Sequence, residues 1–154
     1  MTSNVDIRPA ERGDVAAIAA MFAQDTLGGH GDSADPADLP DYLAAFDAIA
    51  ASPNDSLFVA VRDGEVVGTF QTTLITSLTE RGSSSLIIKA VHTRSDMRGH
   101  GIGQVMINHA IEQGRAKGAR LVQLMSNATR HDAHRFYARL GFGQSHLGFT
   151  MKLC

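Results

Sequence analysis

The sequence predicts an α/β protein built around a mixed β-sheet. In the second half of the chain, apolar strand patterns alternate with helical patterns, and this order implies a crossover connection with parallel strand pairing. Earlier in the chain, Asp63-Gly64 separates two strand-like runs, and this dipeptide is typical of a tight hairpin that adds antiparallel pairing. A length of 154 residues is that of one domain, and we expect residues 1–154 to form one.

Two helices and a loop are predicted in the first third of the chain. Apolar side chains at helical spacing predict a helix over 14–22. Glycine and proline residues interrupt the stretch 25–40, which favours a loop. Pro40 suits the first turn of a second helix, and its apolar face would consist of Leu43, Phe46 and Ile49.

Three strands and a third helix follow. Residues 57–61 and 65–75 flank the hairpin, and a polar break at 79–84 precedes a strand over 86–93. Apolar residues recur at helical spacing in the next segment, and Gly118 is placed to end that helix. The residues that predict this helix are Ile102, Val105, Met106, His109 and Ala110.

A strand, a helix and further strands complete the prediction. Residues 121–125 form an apolar strand, and the spacing of Thr129 and Asp132 suggests a capping box before the last helix. Gly141 would end that helix, and 142–151 would supply one or two final strands. The residues on its apolar face are Ala133, Phe136, Tyr137 and Leu140.

Composition and charge argue against several classes of function. The formal charge is −2, so the chain lacks the basic excess that is typical of nucleic-acid-binding proteins. The single cysteine, Cys154, permits neither an intrachain disulfide nor a thiol cluster for a metal. Its apolar runs are shorter than the ~20 residues that span a bilayer, and no signal-peptide core is present. We therefore expect a cytoplasmic protein without nucleic-acid or membrane partners.

A glycine-rich segment, Met97 to Gln104, carries the clearest chemical signal. It follows a predicted strand and opens a predicted helix. Glycines allow close backbone approach, and N–H groups at a helix N-terminus favour a phosphate or pyrophosphate. Arg98 could add a cation. The spacing matches neither a Walker loop nor a dinucleotide fingerprint, so on its own it predicts a plain glycine-rich turn equally well.

Three blocks together resemble one enzyme family. Arg98-x-x-Gly101-x-Gly103 resembles the acetyl-CoA pyrophosphate loop of the GNAT (GCN5-related N-acetyltransferase) superfamily. Residues 132–142 resemble the closing helix of that family, and Ile7-Arg8-Pro9-Ala10 its opening. The chain therefore resembles a small, bacterial-type member of the GNAT superfamily that consists of a single domain. The resemblance implies a central mixed, mostly antiparallel, twisted sheet of six to seven strands, flanked by about four helices and splayed at the acetyl-CoA site.

The resemblance also implies an activity and the residues for it. The activity is direct transfer of an acetyl group from acetyl-CoA to a primary amine of a small molecule or peptide. Tyr137 would protonate the leaving thiolate, and Asn127 would contact pantetheine or the acceptor. Backbone groups at a splayed strand would pair with pantetheine: Val91, His92 and Thr93. Backbone N–H groups would bind the pyrophosphate: Arg98, Gly99, His100, Gly101, Ile102, Gly103 and Gln104.

The chemistry of these roles is sound in itself. A phenol, with a reference pKa of about 10, can donate a proton without first ionising. A strand N–H near Val91 could stabilise the oxyanion. The other interpretation of Tyr137 is a core aromatic residue, because its helix face is apolar.

The sequence departs from the family pattern at the position of the usual general base. Related sequences often have a glutamate where this chain has Lys89, and alternation predicts that Lys89 shares a face with Ile87, Val91 and Thr93. Lysine is a poor base unless it is desolvated, although it could bind a carboxylate on the acceptor or repel a cationic one. It could equally cover apolar surface with its stem. Substitute bases are His92, Glu80 and His131.

Other interpretations stay open. Lys89 motivates a catalytically quiet acetyl-CoA-binding or sensing module, and a generic nucleotide-binding domain is a third hypothesis. No metal is expected, since His131 and His134 have no evident third ligand. The five aspartates of 25–41 would attract a cationic acceptor, or would simply be solvated. The resemblance allows a homodimer that forms through the last strands. Apolar residues alternate there, and the same alternation is expected of an ordinary half-buried strand. These residues are Leu147, Phe149, Met151 and Leu153.

Overall fold

A computed structural model describes residues 4–25 and 31–154 of the chain. The chain divides into two compact units, Met1–Gln123 and Leu124–Cys154, which are described one at a time. No helix in the described residues is long and apolar enough to cross a membrane. That residues 1–154 form a single domain stays a prediction.

Five strands form one sheet in the order β1-β2-β3-β4-β5. The strands are β1 (Asp6–Pro9), β2 (Asp55–Arg62), β3 (Glu65–Thr76), β4 (Ser84–Thr93) and β5 (Leu121–Leu124). The first three pairings are antiparallel. The N–H of Arg120 donates to the carbonyl of Ser84 over 2.8 Å, so β5 begins beside the start of β4 and runs parallel to it. The predicted α/β class with a mixed sheet is confirmed.

The described residues form five helices: α1 (Val15–Gln24), α2 (Leu39–Ala51), the single turn α3 (Thr79–Gly82), α4 (Ile102–Ala116) and, in the second unit, α5 (His131–Arg139). Four of them were predicted within a few residues. Gly118 has a φ of 71°, and the N–H of Ala119 bonds to the carbonyl of Gly114 over 2.9 Å, which closes α4 as predicted. At the hairpin, Asp63 and Gly64 both have positive φ, as the turn requires.

The two faces of the sheet are covered by different helices. On one face, Val59 of β2 packs with Ile18 and Met21 of α1. On the other face, α4 comes so close to β3 that a Cβ on Gly68 would lie 2.9 Å from Met106 Sδ. Burial of apolar side chains on both faces is what holds this unit together.

A bulge interrupts the alternation of β4. Thr69 pairs with His92 and Gln71 pairs with Lys89, so that two residues of β4, Ala90 and Val91, stand opposite one residue of β3. Ala90 has a φ of 55°, which is unusual for a residue with a side chain.

The bulge overturns one prediction about side-chain faces. His92 and Lys89 pair with residues two apart on β3, so they share a face, the one that α1 covers. Thr93 pairs with Gly68 and lies on the α4 face instead. The predicted common face for Lys89 and Thr93 was wrong because an extra residue in the strand reverses the alternation.

Two further predictions differ from the structure. The sheet has five strands instead of six to seven, and β1 was not foreseen as a separate strand. No strand forms within 142–151 in the described chain. The alternating apolar side chains there stay exposed, Leu147 at 80% and Phe149 at 92%. Alternation alone does not create a strand when the segment gains neither burial nor a backbone partner.

Candidate functional site

The glycine-rich loop forms an open group of backbone donors. Gly99 and Gly101 have φ values of 81° and 79°, the left-handed region that glycine adopts without strain. Gly101 is the N-cap of α4, and its carbonyl accepts the N–H of Val105 over 3.2 Å. This is the first bond of the helix, so the preceding N–H groups of Ile102, Gly103 and Gln104 have no acceptor within α4.

The two arginines beside this loop, Arg94 and Arg98, differ in their partners. Ile102 is buried and anchors the loop, whereas Gly99 and His100 are exposed. Arg94 is held by carboxylates, with its guanidinium 2.6 Å from Asp96 and 3.2 Å from Glu65. Arg98 is exposed and forms no ion pair with any residue that the structure describes. Loop and side chain together suit an anion such as a pyrophosphate.

The second half of β4 has an open edge. Because β5 has only four residues and starts beside Ser84, it accompanies only about the first half of β4. The segment Val91–Thr93, beyond the bulge, therefore has no strand on that side among the described residues of this unit. Its three residues are half-buried. Such an edge can accept an extended amide-bearing molecule as an added strand.

His92 lies on the α1 face beside the bulge. Its ring meets the ring of Phe22 edge-on, with the centroids 5.8 Å apart. Of the two substitute bases in the first unit, His92 and Glu80, His92 is therefore the one that adjoins the open edge. Glu80 belongs to α3, before the start of β4, and lies 3.8 Å from Arg120. Because it stands at the opposite end of the strand from the bulge, Glu80 has no place at this edge.

Tyr137 lies on α5, in the second unit. Its ring contacts Phe136 and Phe142 with centroids 5.2 and 5.9 Å away. Burial raises the pKa of the Tyr137 phenol, while the charge of Arg130 acts in the opposite direction. The phenol is therefore protonated at neutral pH and able to donate.

Asn127 organises the entrance to α5. Its Oδ1 accepts the N–H of Thr129 over 2.9 Å and the hydroxyl of Thr129 over 2.7 Å. Its carbonyl oxygen lies 2.8 Å from Nε2 of His134. The predicted capping box was wrong, because Arg130 is the N-cap and Asn127 takes the Thr129 hydroxyl. With Oδ1 used twice, a ligand would meet the amide nitrogen of Asn127.

His131 and His134, the pair considered for a metal site, lie on α5. His131 is exposed, and its ring centroid lies 5.7 Å from that of His134. Among the described residues, no three His, Cys, Asp or Glu side chains are grouped so as to hold a metal ion.

The acidic stretch 25–41 is described in part, since 26–30 lie outside the described residues. Asp32 accepts the hydroxyl of Tyr42 over 2.8 Å, and the N–H of Ser33 donates to that hydroxyl oxygen over 3.0 Å. A cavity of about 440 Å³ lies here, and Asp32, Asp38, Asp41 and Tyr42 all contribute to its lining.

Sequence reasoning missed Gln71, the cross-strand partner of Lys89. Gln71 is half-buried, and it lies on the α1 face. Only the register of β3 with β4 reveals this neighbour, and the bulge hides that register from the sequence.

Comparisons with known proteins agree with the fold. The acetyltransferase (GNAT) family profile matches residues 16–142. An aminoalkylphosphonate N-acetyltransferase of Salmonella typhimurium is 40% identical over 116 residues, which cover 73% of this chain and 75% of the relative.

Solved structures extend the similarity to nearly the full length. A transcriptional regulator from Bacillus halodurans superposes with a TM-score of 0.93 at 38% identity, covering 97% of this chain and 100% of the other. An acetyltransferase of Trypanosoma brucei has a TM-score of 0.79 at 23% identity, with coverage of 97% and 100%, and shares the fold. The chain therefore belongs to the acetyltransferase (GNAT) family and is an N-acetyltransferase.

Proposed function

We propose that this N-acetyltransferase uses acetyl-CoA as its donor and transfers the acetyl group directly to the primary amine of a small molecule. The observation that carries the proposal is the open edge of β4 at Val91–Thr93, followed by the donor-rich N-terminus of α4. Acetyl-CoA supplies an activated thioester, a pyrophosphate and a pair of amides. The first unit offers a complementary group for each of the last two.

The residues of the first unit divide the work of binding. The N–H groups of Ile102, Gly103 and Gln104 would bind the pyrophosphate, and Arg98 would add charge. The backbone of Val91–Thr93 would pair with the amides as an added strand. The N–H of Val91 is the proposed oxyanion donor, because the bulge takes it out of the regular ladder.

Tyr137 is the proposed general acid for the leaving thiolate. A phenol whose pKa is raised by burial carries a proton throughout the neutral range. The aromatic residues Phe136 and Phe142 hold its ring in place. Asn127 is a proposed contact for pantetheine or acceptor through its amide nitrogen.

The acceptor proposed is a small amine. The Salmonella relative, named for aminoalkylphosphonates, supports a small molecule over a peptide. We expect the enzyme to be cytoplasmic and to need neither nucleic acid nor a membrane, in line with its formal charge of −2. A homodimer remains part of the proposal.

A quiet acetyl-CoA-binding module is the second candidate. Lys89, directly before the bulge, favours it, because an exposed ammonium is a poor acceptor for the proton of an attacking amine. Binding of acetyl-CoA without turnover of any amine would establish that candidate.

The experiment is an acetyl-transfer assay with purified protein, acetyl-CoA and a panel of small primary amines. We expect thiol release that depends on the amine and a product carrying one acetyl group. Arg98→Ala should raise KM for acetyl-CoA about tenfold, since it removes one charge-assisted contact to the pyrophosphate. Acetyl-CoA binding without transfer to any amine would replace the proposal with the quiet module.

A further inference from the structure

Lys89 has an unusual position in the sheet. It is the last residue of β4 before the bulge, and it shares the α1 face with His92. Contact between Phe22 and His92 places α1 on this face. Lys89 itself is exposed, so the helix leaves its ammonium free to meet a solute.

Gln71 stands directly opposite Lys89 on β3. Cross-strand partners have Cβ atoms about 4.5–5.5 Å apart, so their polar ends can reach one ligand. Within the described part of the chain, Lys89 forms no ion pair and the carboxamide of Gln71 forms no hydrogen bond. Three ammonium donors and two amide donors are therefore available on this face without an acceptor among residues 4–25 and 31–154.

On this face the carboxylate of Asp55 on β2 already accepts the hydroxyl of Thr73, and two other sheet neighbours of the pair carry no charge. Ile87 is apolar, and the hydroxyl of Thr69 donates to the carbonyl of Phe58 over 2.8 Å. A lysine in the middle of a sheet is otherwise disfavoured, because strands select apolar and β-branched residues. Here it produces a local positive site in a protein whose formal charge is −2.

We propose that Lys89, aided by Gln71, is a specificity-determining residue that binds an anionic group on the amine acceptor. The substrate class is then an amine that also carries a phosphonate, phosphate or carboxylate. This inference rests on the proposed function, since it takes the space beside the bulge as the acceptor side. Lys89 orients the acceptor and takes no part in proton transfer.

The test compares Lys89→Met with wild type in two measurements. The first is calorimetric binding of aminoethylphosphonate to the protein, with and without coenzyme A, which fills the donor site but carries no acetyl group to transfer. The second is acetyl transfer to aminoethylphosphonate, β-alanine and propylamine, which present a phosphonate, a carboxylate and no anion. We expect Lys89→Met to weaken binding of the phosphonate, and to raise its KM, about tenfold. KM for acetyl-CoA and for propylamine should stay within about twofold.

Lys117→Met is the matched control, because it removes the same charge from an exposed lysine at the end of α4. Lys89→Arg should keep the preference for anionic amines, and higher salt should weaken it. The inference is overturned if wild type binds no aminoethylphosphonate, if Lys89→Met binds it equally well, or if Lys117→Met loses as much affinity. Because the binding arm needs no turnover, absence of acetyl transfer would refute the proposed function separately.

Discussion

At the scale of single residues, Asp14 ties the first strand to the first helix. The guanidinium of Arg8 on β1 lies 2.7 Å from its carboxylate, and the N–H of Glu11 donates to it over 2.7 Å. The hydrogen bond from Arg8 lowers the pKa of Asp14, with a smaller contribution from Glu11. We expect Asp14→Asn to lower the free energy of unfolding by about 1–2 kcal/mol near neutral pH, measured by urea denaturation.

The same contact predicts a pH dependence. Since the folded pKa lies below the unfolded one, the contribution of Asp14 is complete above about pH 5 and is lost as the pH falls through the folded value. Wild type should therefore lose more stability on acidification than Asp14→Asn. Asp47→Asn is the control, because its pair with Arg12 at 3.3 Å is exposed and contributes little. Equal losses in the two variants would contradict this account.

The role of Tyr137 as general acid predicts how its substitution changes kcat. Tyr137→Phe removes only the hydroxyl, so we expect kcat to fall by about 10²-fold or more, while KM for acetyl-CoA and the melting temperature change little. Because burial raises the pKa of Tyr137, kcat should show no fall from this group until the pH exceeds about 10. A kcat within twofold of wild type would leave Tyr137 as a core aromatic residue.

At the scale of elements, the close approach of α4 to β3 is open to test. A Cβ on Gly68 would lie 2.9 Å from Met106 Sδ and 3.2 Å from the carbonyl of His92. We expect Gly68→Ala to cost about 1–3 kcal/mol in the free energy of unfolding, because Met106 is fully buried and the space is filled.

A double variant separates this contact from a general effect of the strand. Met106→Ala on top of Gly68→Ala should cost less than the sum of the two single changes, since the shortened side chain makes room for the new methyl. Strict additivity in urea denaturation would argue that the two residues are not coupled.

The elements also show what could be predicted from the sequence. Helix α4 and its end at Gly118 follow from apolar spacing and one glycine, which are local signals. The bulge at Ala90 could not be foreseen, because it depends on a cross-strand register between β3 and β4. For the same reason Gln71 was missed and Thr93 was placed on the wrong face. The tail around Leu147 and Phe149 alternates as a strand does, but lacks the partner that would make it one.

At the scale of the whole molecule, every proposed donor-binding backbone group from Val91 to Gln104 lies in one compact unit, Met1–Gln123. The glycine-rich loop could be predicted from the sequence, because its glycines and the start of the helix after it are local features. Tyr137 and Asn127 lie in the other unit, and their roles stay predictions. The central claim is therefore that the N-terminus of α4 binds acetyl-CoA.

The most direct test is a calorimetric titration of acetyl-CoA against wild type, Gly101→Val and Gly118→Val. These glycines flank α4, have φ values of 79° and 71°, and would each direct a new Cβ into open space. Valine at either position should therefore strain that end of α4 by about 1–2 kcal/mol, and the two variants should have similarly lowered melting temperatures. We expect Gly101→Val alone to bind acetyl-CoA at least about tenfold more weakly, because it disturbs the pyrophosphate donors. Equal affinities in the two variants, or no binding by wild type, would contradict the assignment of the donor site.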